Sequence, residues 1–352
     1  MVYWVPEEFP GNMLLENTER GLRCTAGGFH VDPWQAVDAA VITHAHSDHA
    51  RAGSKLYLTE AGGEAVLRER LGPEARIETL RYGERLTRDG VTISLHPAGH
   101  ILGSAQVRIE HRGEIWVVSG DYKLENDGTC QPFELVPCQT FVTESTFGLP
   151  IYHWRPQAEV FAEMHDWWRG NQALGRTSIV FCYALGKAQR LLHGLNPDIG
   201  PIILHGAIER FLPAYRAARV TFPPTVIADA ETLKRAPGQS LVLAPVSAMH
   251  SPWLRRFGDI STAFASGWMQ IRGTRRRRSL DRGFVLSDHP DWNGLLSTIG
   301  LTGAGTIWAT HGYTGPLVRW LREQGKNAEA LETKFLDELP EEPPAAPADG
   351  PS

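Results

Sequence analysis

The chain has 352 residues, a formal net charge of −5 and 42% hydrophobic residues. That hydrophobic content at so small a net charge excludes a wholly disordered chain. Four cysteines in this length exclude a disulfide scaffold, and slight acidity argues against a protein that coats nucleic acid by bulk charge. The length allows roughly two domains.

In chain order, the first 150 residues read mostly as short strands. AAVITH, KLYLTE, VTISLHP, AQVRIEH, GEIWVVSGD and QTFVTES each mix β-branched or aromatic residues and end at turn residues. AGGEAVLRERLG between two of them predicts a helix. From about Arg155 the pattern changes. AEVFAEMHDWWRG predicts a helix, TSIVFCYAL an apolar strand, GKAQRLLHGL a helix, PIILHG a strand and AIERFLPAYRAAR one helix. Such alternation predicts a parallel sheet with crossover connections. After Arg282, GFVLSDH reads as a strand, a helix runs from Asp291, TIWATHG is a strand and GPLVRWLREQG a helix. Residues 337–352 hold five acids, five prolines and no base, which predicts disorder. No run of about 18 apolar residues suggests a membrane span. MVYWVPEEF lacks the pattern of a secretory signal, so a cytoplasmic protein with reduced Cys24, Cys130, Cys138 and Cys182 is expected.

The strongest chemical signal is His44-Ala45-His46-Ser47-Asp48-His49, directly after the apolar run AAVIT. Imidazole and carboxylate suit zinc and similar divalent ions. Alternation lets His44 and His46 point the same way, while Asp48 and His49 can face a second ion. More candidate ligands follow at strand ends: His100 in VTISLHPAGH, Asp121 in IWVVSGD and His311 in TIWATH. A carboxylate such as Asp121 can bridge two ions, and two ions about 3.5–4 Å apart can clamp a displacement at phosphorus.

HAHSDH, AGHILGSA, SGDYK and TESTFG, with FCYALGKAQR, SDHPDW and ATHG after them, resemble the successive motifs of the metallo-β-lactamase fold in its β-CASP nuclease branch. The likeness spans nearly the whole chain except the tail. It is nearest to the bacterial ligase-associated DNA exonucleases and less near to RNA 3′-end-processing nucleases. It implies an α/β fold: a metallo-β-lactamase αββα sandwich with an inserted β-CASP α/β domain. Residues 1–150 would form the first part of the sandwich, 151–270 the insert, 271–336 the closing part and 337–352 the tail. His44, His46 and His100 would hold one zinc ion; Asp48, His49 and His311 would hold the other, with Asp121 between them and manganese as a substitute metal. Asp32 in GFHVDP matches the aspartate that orients the metal loop; Asp38 competes for that role, and a plain turn aspartate before Pro33 is the simpler reading. Glu144 and His289 match an acid pair in which the carboxylate orients the imidazole, and His289 protonates the leaving 3′ oxygen. Ser287 or Asp288 is expected to cap the following helix. The implied reaction is hydrolysis of a nucleic-acid backbone by a hydroxide held between two metals, with Asp48 helping to orient it. DNA is favoured over RNA, and a DNA ligase and a helicase are the implied functional associates.

Three further features bear on substrate binding. Tyr183-Ala184-Leu185-Gly186-Lys187 lies where a strand passes into a helix, so Lys187 and the turn amides are candidate phosphate ligands. Ser266 and Gly267 form another such candidate turn. Arg275 and Arg276 lie in a stretch, Arg272 to Arg282, with six arginines and one acid; it reads either as a phosphate-binding edge or as a solvated loop. Trp253, Trp268 and Trp292 can stack on bases or pack in the core. Two other readings remain open on the residues alone: a small-molecule hydrolase of the same fold, opposed by the large insert and the Glu144–His289 pair, and an inactive scaffold, opposed by the full ligand set. The five unpaired acids of 337–352 account for the whole net charge, so the remaining chain is balanced and permits a local positive cleft.

Overall fold

The computed structural model describes residues 13–226, 228, 231, 233, 237–271 and 280–334. The tail 337–352, Arg275 and Arg276 lie outside the described residues. Two sheets face each other. The first, in spatial order, has β1 (Glu16–Thr18), β2 (Gly21–Cys24), β3 (Phe29–Val31), β4 (Ala40–Val41), β5 (Tyr57–Glu60) and β6 (Ile77–Leu80). The second has the order β18-β17-β11-β10-β9-β8-β7, with β7 at Arg85–Arg88, β8 at Val91–Pro97, β9 at Ala105–His111, β10 at Glu114–Val118, β11 at Thr140–Ser145, β17 at Thr306–Gly312 and β18 at Asn327–Ala330.

The central strands of the second sheet show why these apolar runs become strands buried on both faces. Trp116, Val118, Val142 and Trp308 point into the core shared with the first sheet, among Leu22, Val31, Val41 and Leu58. Their neighbours Val117, Phe141, Ile307 and Ala309 point the other way, onto two helices, α6 (Trp292–Leu301) and α7 (Thr314–Glu323), through Trp292, Ile299, Leu317 and Leu321. The period of two thus serves two cores at once. On the far side, α1 (Glu64–Leu71) covers the first sheet through Val66 and Leu67, against Ala40, Ile42 and Tyr57. The layers are αββα, as expected.

The insert is a five-stranded parallel sheet in the order β13-β14-β12-β15-β16, with β12 at Thr177–Cys182, β13 at Ile202–Leu204, β14 at Leu241–Pro245, β15 at Ile260–Ala265 and β16 at Arg282–Phe284. Every residue of β12 is buried. Val180 and Cys182 pack on α2 (Gln157–Ala173) and α3 (Lys187–Gly194), while Ile179 and Phe181 face a second apolar cluster. Val160, Phe161, Met164 and Trp168 recur at helical spacing on the buried face of α2.

Three sequence expectations need correcting. AIERFLPAYRAAR is two short helices, α4 (Gly206–Glu209) and α5 (Leu212–Ala217), because Pro213 is tolerated only in a first turn. The insert extends past residue 270: β16 pairs with β15, so the chain rejoins the sandwich after Phe284. Asp291, rather than Ser287 or Asp288, caps α6, its Oδ1 accepting from the Gly294 amide at 2.8 Å.

β10, β11 and β17 run parallel, so their C-terminal ends share one edge. That edge carries Asp121 just past β10, Glu144 at the end of β11 and His311 at the end of β17. Residues nearly 200 positions apart therefore meet, at the strand ends where open α/β sheets place their sites.

Candidate metal centre

The metal loop leaves β4 and is held from behind by Asp32. This aspartate adopts a positive φ of 42°, uncommon for a residue with a Cβ. Its Oδ1 accepts from the Thr43 amide at 2.8 Å, and its Oδ2 accepts from Thr43 Oγ1 at 2.6 Å and from His49 Nδ1 at 2.8 Å. Asp38, the competing candidate, lies at the surface with Lys55. At the loop's front, Gly120 approaches so closely that a Cβ there would lie 2.6 Å from Thr43.

Each imidazole is fixed through one nitrogen, which turns the other inward. His44 Nδ1 meets Thr43 Oγ1 at 3.1 Å, His311 Nδ1 meets Thr310 Oγ1 at 3.1 Å, and His100 Nδ1 donates to the Asp288 carbonyl at 2.8 Å. His46 uses Nε2, which donates to the Leu185 carbonyl of the insert at 3.1 Å. The inner nitrogens converge on Asp121: His44 Nε2 and His49 Nε2 stand 3.5 Å from Oδ2, His100 Nε2 stands 3.8 Å from it, and His311 Nε2 is 2.8 Å from Oδ1. Two donor sets of these histidines result, His44–His46–His100–Asp121 and His49–Asp121–His311, and Glu144 and His289 make a third possible group with Asp121, each with its ligand atoms within 4.8 Å of one another. Asp48 lies outside both sets at the loop's open side, its Oδ2 3.7 Å from His49 Nε2.

The chemistry of this cluster fits divalent metal. His44 Nε2 is fully buried and makes no hydrogen bond, which is costly unless a metal takes its lone pair. Burial, then the neighbouring His49, pushes the His44 pKa well below its usual value; burial, then His289, does the same to His100, so both rings stay neutral, as metal ligands must be. Burial would protonate Asp121, but His49 and His311 outweigh it and keep the carboxylate ionised. Burial likewise opposes charge on His49, yet Asp121, Asp48 and Asp32 outweigh it and hold its pKa up at about 10.

That balance predicts how metal uptake depends on pH. A ligating imidazole must be deprotonated, and metal-free His49 keeps its proton at every pH below about 10. Zinc or manganese binding should therefore release protons at neutral pH, and apparent affinity should climb with pH by about tenfold per unit for each proton displaced. Calorimetry in buffers of different ionisation enthalpy measures the release; binding heats independent of buffer would contradict this.

Glu144 and His289 form a buried pair beside this cluster. Glu144 Oε2 accepts from His289 Nδ1 at 2.8 Å and from Thr146 Oγ1 at 2.6 Å, while Oε1 accepts from the Tyr122 amide at 2.8 Å. The register of β11 against β17 shifts between Glu144 and Ser145. Such irregularities re-aim side chains next to active sites. Trp154 Nε1 donates to the His289 carbonyl at 2.9 Å, and the His289 ring lies 4.9 Å from that of His100.

The candidate phosphate turn has a different role. Lys187 is 2% exposed; its Nζ donates to the Leu286 carbonyl at 2.7 Å and pairs with Asp288 Oδ2 at 2.9 Å. The Gly186 amide is taken by Gln189 Oε1 at 2.7 Å. The ammonium is directed inward, and the turn supplies the Leu185 carbonyl to His46. Ser266 and Gly267 likewise form a packing turn: a Cβ on Gly267 would lie 2.5 Å from Phe147. Trp268 and Trp292 are buried in clusters, and Trp253 packs edge-on against Phe257.

Sequence reasoning missed the buried ion network behind His100. Arg190 NH1 donates to Asp288 Oδ1 at 2.9 Å, its NH2 to Glu125 Oε2 at 2.7 Å, and its Nε stands 3.6 Å from Asp127, which also pairs with Lys123. Despite burial, Lys187, Lys123 and Arg190 keep Asp288 ionised. FCYALGKAQR and SDH were visible as motifs, but nothing in one sequence says that they pair. Replacing Arg190 with Met should cost about 3–5 kcal/mol by leaving buried carboxylates uncompensated. Urea unfolding would show it, and an unshifted midpoint would refute it.

No family model matches the chain. A probable DNA ligase of Opitutus terrae is 32% identical over 316 residues, covering 88% of this chain and 30% of that protein. The endoribonuclease ysh1 of Aspergillus fumigatus is 28% identical over 221 residues, covering 57% of this chain and 25% of its own. The chain thus spans less than a third of either relative. A solved structure of a protein of unknown function from Enterococcus faecalis V583 aligns with a TM-score of 0.55 at 11% identity, over 84% of this chain and 79% of the other, which shows the fold alone. These homologues and this architecture are consistent with a β-CASP metallo-β-lactamase nuclease related to the RNA 3′-end nucleases.

Proposed function

We propose that the chain is a metal-dependent nuclease that hydrolyses the phosphodiester backbone of DNA as an exonuclease in DNA repair, using two divalent ions, zinc or manganese. One observation carries the reading: a buried Glu144–His289 pair abuts two donor sets that share Asp121. His44, His46, His100 and Asp121 would hold one ion; Asp48, His49, His311 and Asp121 would hold the other. When bound, the ions supply the Lewis acidity that makes water a nucleophile at neutral pH and offsets charge on the phosphoryl oxygens. Asp48, at the open side of the loop, offers a carboxylate oxygen to orient that water. His289, its Nδ1 fixed by Glu144, directs Nε2 to the leaving 3′ oxygen and protonates it. The Glu144 carboxylate stabilises the imidazolium that this role requires.

The relative named as a probable DNA ligase supports DNA as substrate and a ligase as functional associate, while a helicase associate rests on the family resemblance. The relative named as an endoribonuclease supports the second reading, an RNA-processing nuclease. All four cysteines are free, which suits a reducing, cytoplasmic setting. Among the described residues no helix is long and apolar enough to cross a membrane.

The test is incubation of the purified chain with end-labelled single-stranded DNA, duplex DNA and RNA, with zinc or manganese and with chelator. A progressive DNA ladder that chelator abolishes is expected. Cleavage of RNA alone would replace the DNA reading with the second one, and no cleavage of any polymer would sink both.

A further inference from the structure

Two arginines near the metal loop make no ion pair with an acid among the described residues. Arg70, in the last turn of α1, donates Nε to the carbonyl of Ala45 at 3.1 Å, the residue between His44 and His46. Its side chain is half-buried, and among the described residues its two terminal nitrogens make no hydrogen bond or ion pair. Arg210 lies across the seam in the insert, between α4 and α5. It is exposed, its Cζ sits 4.7 Å from the centre of the Phe211 ring, and among the described residues it too forms no ion pair.

Packing brings the segments that carry them together. Ala45 and Ala50 of the metal loop, Leu67 and Leu71 of α1, and Phe211 beside Arg210 belong to one apolar cluster. The end of α1, the loop and the α4–α5 junction therefore meet, and like charges come together on one rim. The Arg70 pKa is lowered by burial and then by Arg210, with Asp48 opposing. Asp48 offsets this only in part and forms an ion pair with neither guanidinium among the described residues, so an anion between the two arginines would relieve their repulsion. An arginine that only braced the loop could do so through Nε; it would gain nothing from a second unpaired arginine on the opposite domain.

We infer that Arg70 and Arg210 clamp one backbone phosphate of the nucleic-acid strand, next to the phosphate being hydrolysed, one arginine from each domain. This rests on the nuclease reading. Arg70 is tethered one residue from two metal donors but belongs to neither donor set, so the phosphate it reaches flanks the reacting one. Guanidinium forks suit phosphate oxygens, and a grip from both domains would align the strand along the seam.

The test compares the full chain with Arg70→Gln, Arg210→Gln and the double variant. One arm measures binding of a labelled single-stranded oligonucleotide in chelator across a salt series. The slope of log K against log salt should fall by about 0.7 for each phosphate that is no longer neutralised. The other arm measures kcat/KM on the oligonucleotide and on thymidine 5′-monophosphate p-nitrophenyl ester, which has no neighbouring phosphate. Each single change should cost about tenfold on the oligonucleotide, and at least several-fold less on the ester. Unchanged salt slopes in both single variants overturn the clamp, as does equal loss on the two substrates, which would make the arginines braces of the metal loop. Arg210 is exposed, so its variant decides the matter if Arg70→Gln fails to fold. A wild-type chain that cleaves neither substrate sinks the nuclease reading, and the binding slopes still judge the clamp.

Discussion

Asp121→Asn should lower phosphodiester hydrolysis by about a thousandfold or more, close to 4 kcal/mol of barrier, and should also reduce bound metal. Asparagine matches the shape of aspartate, so the effect isolates the charge. Three imidazole nitrogens approach Asp121 Oδ2 within 3.8 Å, and a fourth lies 2.8 Å from Oδ1. Without the carboxylate, these donors would have to hold multiply charged ions in a buried site with a large part of the compensating charge removed. The loss should reach both donor sets, because Asp121 belongs to each. Metal content by elemental analysis and turnover on labelled DNA measure the two effects. A variant with full metal content and full activity would refute the assignment.

His289→Ala should cut turnover on an oligonucleotide by about 10²- to 10⁴-fold, the usual contribution of a positioned general acid. Its diagnostic feature is dependence on the leaving group. A 3′ sugar oxygen leaves poorly unless protonated, whereas p-nitrophenolate needs no proton. On the p-nitrophenyl ester the same variant should lose less than about tenfold. Metal content should stay close to wild type, since His289 belongs to neither of the two histidine donor sets, and its Nδ1 is taken by Glu144. Equal losses on the two substrates would show that His289 supports the site's structure and donates no proton.

Much of the centre was legible because its signals are local. HxHxDH occupies six consecutive residues, and His100, Asp121 and His311 each follow a run whose β-branched and aromatic content marks a strand. Parallel strands then bring those ends to one edge, so sequence order translates into spatial proximity. Asp32 was legible only through resemblance; its grip on Thr43 and His49 depends on a positive φ that no composition rule foretells for aspartate. Lys187 misled because a basic residue at a strand–helix turn suggests phosphate, whereas a partner 101 positions later, Asp288, draws it inward. Arg70 and Arg210 gave no sequence signal, since they come from different domains and neither forms an ion pair that a motif could mark. β16 was assigned to the closing part because a three-residue strand carries almost no pattern, and its pairing with β15 decides which sheet it joins.

His46 is oriented by the carbonyl of Leu185, and His100 by the carbonyl of Asp288. A chain emerging from the ribosome has made all of HAHSDH and AGH long before either carbonyl exists. Until the insert has folded and the polypeptide has returned to residue 288, those two rings have no fixed tautomer, and loading of the first donor set must wait. Metal capture at that set would therefore follow assembly of both domains: a protein stalled in the insert would carry all four donor residues, with His46 and His100 not yet held in place.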